Sequence, residues 1–433
     1  MLVIIFAERH RTGRWDLEAV EMATRTAMHQ AGAEALTQLL RLNRPQQPDR
    51  ECPCGQRAQY RELRSKQILT VVGKVTVRRP YYLCPCCHRG QIPLDGELDV
   101  EGTQFSAGVR RMMALVGSES PFDSGREQMR VLAELTVTAK AVERTAEAIG
   151  EDILARQQVQ IQQALQLELP LPVGQPIPIL YVEIDGTGVP VVKKETEGRA
   201  GKVEGQRART REGKFGCVFT QTTFDAEGRP VRDLDSTTYT GVIETAEKFS
   251  PRIYTEAYQR GWSRAQTKVV IGDGADWIWN LAQEQFPRAI QIVDLYHARE
   301  HLWKLAGKLF PADEPGRRRW VMIQQDKLDN GKIEKLVAAL RSLRPHSQDL
   351  LELIRKEANY FEGNASRMRY PEFRRQGLFV GSGVIEAGCK TLVTCRLKRS
   401  GMFWTVRGAN GIIALRCTRL SGRFEDYWEA RRA

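Results

Sequence analysis

The spacing of apolar positions changes character along the chain. In LEAVEMATRTAMHQAGAEALTQLLRL, residues 17–42, apolar side chains return every three or four positions among good helix formers, which predicts one long helix. A polar, proline-bearing break, NRPQQPDRE, follows. Around Gly73 the period shortens to two: ILTVVGKVTVRRPYYL alternates apolar and polar residues and predicts a β-hairpin. From Phe105 to Ile153 helical spacing returns in three pieces, VRRMMALVGSES, GREQMRVLAEL and TVTAKAVERTAEAIG, the last starting after Thr138 as N-cap. Gln158 to Pro178 mixes Gln and Pro and reads as a linker.

Beyond it the pattern is strand-rich. ILYVEID, KFGCVFTQTTF, PVRDLDSTTYTG, TKVVIGD and AIQIVDLY are short runs with turn residues between them, and a helix carrying Trp277 and Trp279 separates the last two. Two tryptophans two apart on a helix cannot both face the core, so one is expected inward and Trp277 toward a ligand. From His297 to about Arg375 the pattern is helical and charged, and a final helix starts near Ser382. The expected organisation is an N-terminal helical segment (1–48), a hairpin module (49–104), a three-helix module (105–157), a linker (158–178), an α/β domain (179–296), a helical insertion (297–375) and the rest of that domain with a C-terminal helix (376–433).

At 433 residues the chain is long enough for several cores. Its net charge of +12 favours polyanionic partners, nucleic acid first and acidic membrane surfaces second. No apolar run approaches the ~18 residues of a membrane span, and MLVIIFAERH lacks the basic start and cleavage site of a signal peptide. The expected location is therefore cytoplasmic, at the nucleoid, with no membrane partner. Disulfides are not expected there. Five of the nine cysteines crowd between Cys52 and Cys87, which points to metal.

CPCG and CPCCH bracket the predicted hairpin. Cys52 and Cys54 on one side and Cys84 and Cys87 on the other offer a tetrahedral, structural Zn²⁺ site, with Cys86 and His88 as spare ligands. The first pair is one residue shorter than the usual Cys-x-x-Cys knuckle. In the three-helix module, Lys140 and Arg144 lie one turn apart and would face a DNA major groove if the third helix is a recognition helix; a simple connecting bundle reads equally well.

Asp185 and Asp273 each end a predicted buried strand and precede a glycine, where α/β sheets expose their chemistry. Glu386 lies near the start of a helix in GSGVIEAGCKTLVTCRLKRSG, with Lys390 and Thr394 expected on the same face. Three carboxylates from distant segments suit hard divalent cations, two Mg²⁺ or Mn²⁺, that activate phosphodiester displacement. The glycines flanking Asp273 are expected to let backbone and DNA approach closely. Single Asp-Gly pairs are also ordinary turns, and Glu183, Asp276 and Asp294 are competing acids; Glu183 shares a strand face with Asp185.

EIDGTGVPV, VVIGDGADWIWNLA, DLYHAREHL and GSGVIEAGCKTLVTCRLKRSGMFW resemble the DDE transposases of the ISKra-type insertion-sequence family, over most of the chain. The resemblance implies an RNase H-like catalytic domain interrupted by a helical insertion, as in Mutator-like transposases, with Asp185, Asp273 and Glu386 as the triad. Asp294-x-x-His297 is similar to the motif that opens the insertion in those relatives. The short Cys52-x-Cys54 knuckle departs from the pattern.

Lys193 to Lys214, KKETEGRAGKVEGQRARTREGK, reads as a basic mobile loop in which Arg207, Arg209, Arg211 and Lys214 would clamp phosphates. Arg396, Lys398 and Arg399 in CRLKRSG form a second basic patch. The expected protein is a DDE transposase that binds the terminal inverted repeats of its element as double-stranded DNA, assembles as a homo-oligomer, most simply a dimer, and catalyses cleavage and strand transfer. Its rivals are a DNA-binding regulator without catalysis and an RNase H-like nuclease that cuts without joining.

Overall fold

The alternating stretch around Gly73 forms the hairpin that organises the N-terminal part of the chain. Arg57–Thr70 (β2) pairs antiparallel with Gly73–Leu83 (β3), with Thr70 opposite Gly73. Val71 and Val72 make the turn, and Gly73 takes a φ of 114° that a side chain would resist. Asp49–Glu51 (β1) and Gly90–Gln91 (β4) complete a sheet in the order β1-β2-β3-β4. Ile68, Val75 and Val77 form its inner face with Leu94 and Val100, covered by Ala33, Leu36 and Leu40 of the helix Leu17–Arg41.

The computed structural model describes residues 16–41, 48–201, 208–345 and 347–431, and its contacts divide the chain into two units, 1–146 and 147–433. In the first unit, Val109, Met113, Met129, Leu135 and Val142 join the helices Ala107–Glu119 and Phe122–Ala133 to the start of Ala139–Leu165. The Thr138 hydroxyl accepts the Ala141 N–H at 3.1 Å, an N-cap as expected. The helix continues to Leu165, into residues read as linker, and the boundary between the units falls inside it. The reason is local: glutamine is a good helix former, and the first proline of that stretch is Pro170.

The second unit is built on a mixed sheet of Ile177–Pro190 (β5), Thr210–Gln221 (β6), Thr238–Val242 (β9), Ala265–Gly272 (β10) and Ile290–Val293 (β11), in the order β11-β10-β5-β6-β9. A small hairpin, Thr223–Phe224 (β7) with Pro230–Val231 (β8), lies between β6 and β9 in sequence. β5, β6 and β9 run antiparallel; β10 is parallel to both β5 and β11. Parallel neighbours need crossovers, supplied by the helices Ala246–Gln259 and Asp276–Gln285. Leu180, Tyr181, Val182, Phe219, Val269 and Val270 are buried in this sheet, and Tyr181 stacks on Phe219 at 4.8 Å.

After β11 the chain is helical from Leu295 to Arg375 and closes on its starting point, the Leu295 N–H donating to the Val380 carbonyl at 2.9 Å. The helix Val406–Leu420 returns toward the N-terminal part of this unit, where a Cβ on Gly150 would sit 2.0 Å from the Gly411 carbonyl oxygen. Any side chain at residue 150 would prevent that approach. No helix among the described residues is long and apolar enough to cross a membrane.

Candidate active site and metal centre

β5 carries both Glu183 and Asp185 on one face, and its register with β10 sets Ile271 beside Glu183. The paired register ends there; Asp273 follows directly after β10, near enough for its charge to act on Asp185. Each aspartate turns back on its own backbone: Asp185 accepts the Gly186 N–H at 2.7 Å and Asp273 the Ala275 N–H at 2.9 Å.

Glu386 lies on the helix Gly383–Cys389, with Oε1 3.1 Å from the Ser382 hydroxyl oxygen. Two fully buried acids hold that helix in place. Glu183 Oε2 accepts the Ile385 N–H at 2.8 Å. Asp294 accepts the Tyr296 and His297 N–H groups, capping the helix Leu295–Leu309, and with its other oxygen accepts the Ser382 N–H at 2.9 Å and the Ser382 hydroxyl. Glu183 and Asp294, which the sequence offered as competing acids, thus hold the helix that carries Glu386.

The electrostatics are those of crowded, unneutralised carboxylates. Burial raises Asp185; the Gly186 N–H and Cys389 thiol oppose it and Asp273 adds to it. Burial also raises Glu386, helped by Asp294 and Asp185. Glu183 is pushed up to about 8 by burial, against the Ile385 N–H and with the Asp294 charge. No lysine or arginine forms an ion pair with Asp185, Asp273 or Glu386 among the described residues.

Gly274 has a φ of 99°, and a Cβ there would meet the Tyr360 ring at 2.6 Å; at Gly272 it would meet Ile278 at 2.8 Å. These glycines accommodate protein atoms, which corrects the expectation that they open space for DNA. The Tyr360 hydroxyl donates to the Asp273 carbonyl at 2.9 Å, its ring stacks on His301 at 4.1 Å, and His301 Nδ1 lies 2.7 Å from Glu357. His297 packs edgewise on His301, and a positive charge on it favours ionised Asp185. Tyr360, His301 and Glu357 carried no signal in the sequence beyond their helical spacing. Trp279 is the inward one, buried under Arg367, while Trp277 is half-buried against Phe249.

The helix after Glu386 opens into a π turn at Lys390–Thr394 before Cys395–Leu397. The four-residue face expected through Glu386, Lys390 and Thr394 is therefore interrupted. Arg396 is fully buried with its guanidinium 5.0 Å from the Trp404 ring, so it is a packing residue here instead of a DNA contact. Lys398 and Arg399 are exposed; Lys398 donates to the Thr187 hydroxyl at 2.7 Å, two residues from Asp185. Lys214 lies within β6, 6% exposed, bonded to Glu212 and 4.7 Å from the Trp277 ring, and so is not part of a basic loop. Arg211 is also in β6 and donates to the Glu195 carbonyl, whereas Arg209 is exposed; Arg207 lies outside the described residues.

In the first unit Lys140 pairs with Glu143 at 2.6 Å, and Arg144 is exposed one turn on. The sulfurs of Cys52, Cys54, Cys84 and Cys87 lie within 4.8 Å of one another, with Cys52–Cys87 and Cys54–Cys84 both at 3.5 Å. Tetrahedral Zn–S bonds of 2.3 Å require sulfurs about 3.8 Å apart, so this set fits zinc. Gly55, at φ 82°, donates to the Cys52 carbonyl and lets the short knuckle turn back. Backbone N–H groups, that of Cys87 foremost, draw Cys84 down to about 6, while Cys54, against the Gln56 N–H, is pushed up to about 12 by the other three sulfurs. Cys86 and His88 are outside the set.

A family profile described as "Uncharacterised protein family (UPF0236)" matches residues 13–431. The chain belongs to the UPF0236 family. A UPF0236 protein in the vanSb 3′ region of Streptococcus gallolyticus is 21% identical over 376 residues, covering 84% of this chain and 75% of that protein. Among solved structures, a chain of the Drosophila P element transposase strand transfer complex aligns with 79% of this UPF0236 chain and 84% of its own length, at 8% identity and a TM-score of 0.27. A superposition that loose carries no argument.

Proposed function

We propose that this UPF0236 chain is a DDE transposase of the ISKra-like kind, cutting and joining DNA at the edge of an RNase H-like sheet. The observation that carries the reading is that Asp185, Asp273 and Glu386, from three distant segments, act on one another's charge, and that among the described residues none of them pairs with a lysine or arginine. A sheet of three antiparallel strands leading into two parallel ones supports the fold assignment.

The three carboxylates offer only oxygen, the donor that Mg²⁺ or Mn²⁺ prefers; Asp273 adds to the raised proton affinity of Asp185, and Asp185 to that of Glu386, a repulsion that a divalent cation would relieve. Such ions would supply Lewis-acid stabilisation of the phosphorane-like charge. The protein's own part is to fix the carboxylates through Glu183 and Asp294, and to hold a cation, Lys398, next to Thr187 where the DNA backbone passes. A water oxygen attacks the scissile phosphorus, the P–O3′ bond breaks and the 3′-oxygen leaves protonated. That 3′-hydroxyl then attacks a target phosphorus and displaces its 3′-oxygen. The zinc module and the helix bearing Lys140 and Arg144 would recognise the element's ends, with two copies of the chain in the assembly.

The test is incubation of the protein with labelled duplex from the ends of its own element and a target plasmid in Mg²⁺, beside Asp273→Asn. Strand-transfer products from the wild type alone support the reading. Cleavage without joining indicates a nuclease, and binding without cleavage a regulator.

A further inference from the structure

Beyond Asp185 the strand β5 leads to a cavity of about 700 Å³ that the DDE chemistry does not use. Val191, Val192, Ala208 and Phe403 supply its apolar lining, Lys193 and Arg209 its cationic part. Phe403 is 61% exposed, although its neighbour Trp404 is fixed by three hydrogen bonds. Trp404 N–H donates to the Pro190 carbonyl at 3.2 Å, its carbonyl accepts the Val192 N–H at 2.9 Å, and its indole N–H donates to the Leu397 carbonyl at 3.1 Å. An aromatic ring is thus displayed at the cavity from a rigid backbone. From Asp185 to Val191 is six residues, about 20 Å of strand at ~3.3 Å each, or roughly six base-pair steps. Lys398, bonded to Thr187, lies along that path.

We propose that this cavity receives one unstacked nucleobase of the bound DNA, lying against the Phe403 ring, while Lys193 and Arg209 hold the adjoining phosphates. The proposal rests on the DNA reading above. An apolar slot takes the π-face of any base, and its cations suit the sugar–phosphate on either side. A neutral peptide would use the ring but offer no counter-charge to the exposed Arg209.

The test compares two short labelled duplexes at low salt by fluorescence anisotropy, one fully paired and one with a single unpaired thymine. A base that is already unpaired avoids the cost of extrusion, so the wild type should prefer the second duplex. Phe403→Ala should weaken binding of that duplex by roughly 5- to 150-fold and erase the preference, while Phe403→Trp, which keeps a stacking surface, should retain it. Equal binding of both duplexes by the wild type, or a preference that Phe403→Ala leaves intact, overturns the nucleobase site and leaves the DNA reading standing. Failure of the wild type to bind either duplex overturns both.

Discussion

The Ser382 N–H donates to Asp294 at 2.9 Å across 88 residues of sequence. That bond joins the two ends of the helical insertion, and it ties the residue that begins the Glu386 helix to the cap of the helix carrying His297. Asp294→Ala would leave the Ser382, Tyr296 and His297 N–H groups without their acceptor. The expected loss is about 2–4 kcal/mol in denaturant unfolding, with cleavage reduced as Glu386 is released. An unchanged midpoint would show that the insertion closes by other contacts.

Glu183 makes a second, pH-dependent prediction. Its folded pKa is about 8, raised first by burial, whereas an unfolded glutamate titrates near 4.3. Between about pH 4.3 and 8 the folded state therefore keeps a proton that the unfolded chain has lost, and stability falls as pH rises through that window. Glu183→Gln, neutral throughout, should gain on the wild type across it by an amount on the order of a few kcal/mol, measured by denaturant midpoints without added divalent cation. A difference that does not vary with pH would mean that Glu183 does not titrate there.

Part of this site was legible because period-two alternation shows which way a strand's acids point. It named Glu183 as the neighbour of Asp185 and put Asp273 just past the end of β10, but β5 runs on to Pro190, so Asp185 lies inside its strand and does not end it. Alternation could not say that Glu183, two residues deeper, is roofed by the Gly383–Cys389 helix and spent on its Ile385 N–H. That depends on a contact between segments about two hundred residues apart. Arg396 failed differently. RLKR looks like one basic patch, yet the apolar spacing of Leu392, Val393 and Leu397 already puts Arg396 on their side of the helix, and all four are buried. The length of the Ala139–Leu165 helix was obscured by letting later prolines colour the glutamines before them.

The cysteine cluster carries a prediction independent of the carboxylates. The purified chain should hold about one zinc, and Cys84→Ser or a strong chelator should release it and lower the stability of the β2–β3 module by several kcal/mol. Cys86→Ser, outside the set, should change neither zinc content nor melting temperature. Equal zinc loss from both substitutions would move the ligand set to include Cys86.

The most direct measurement is Mg²⁺-dependent cleavage of labelled element-end DNA by Asp185→Asn, Asp273→Asn and Glu386→Gln, each folded and each tested beside Glu183→Gln. If the three carboxylates share one centre, each substitution should cost about 10³-fold or more in cleavage while DNA binding persists, and Glu183→Gln should stay within about tenfold of the wild type. Wild-type cleavage that survives loss of Asp185 or Asp273, or a larger loss at Glu183 than at Glu386, would contradict it.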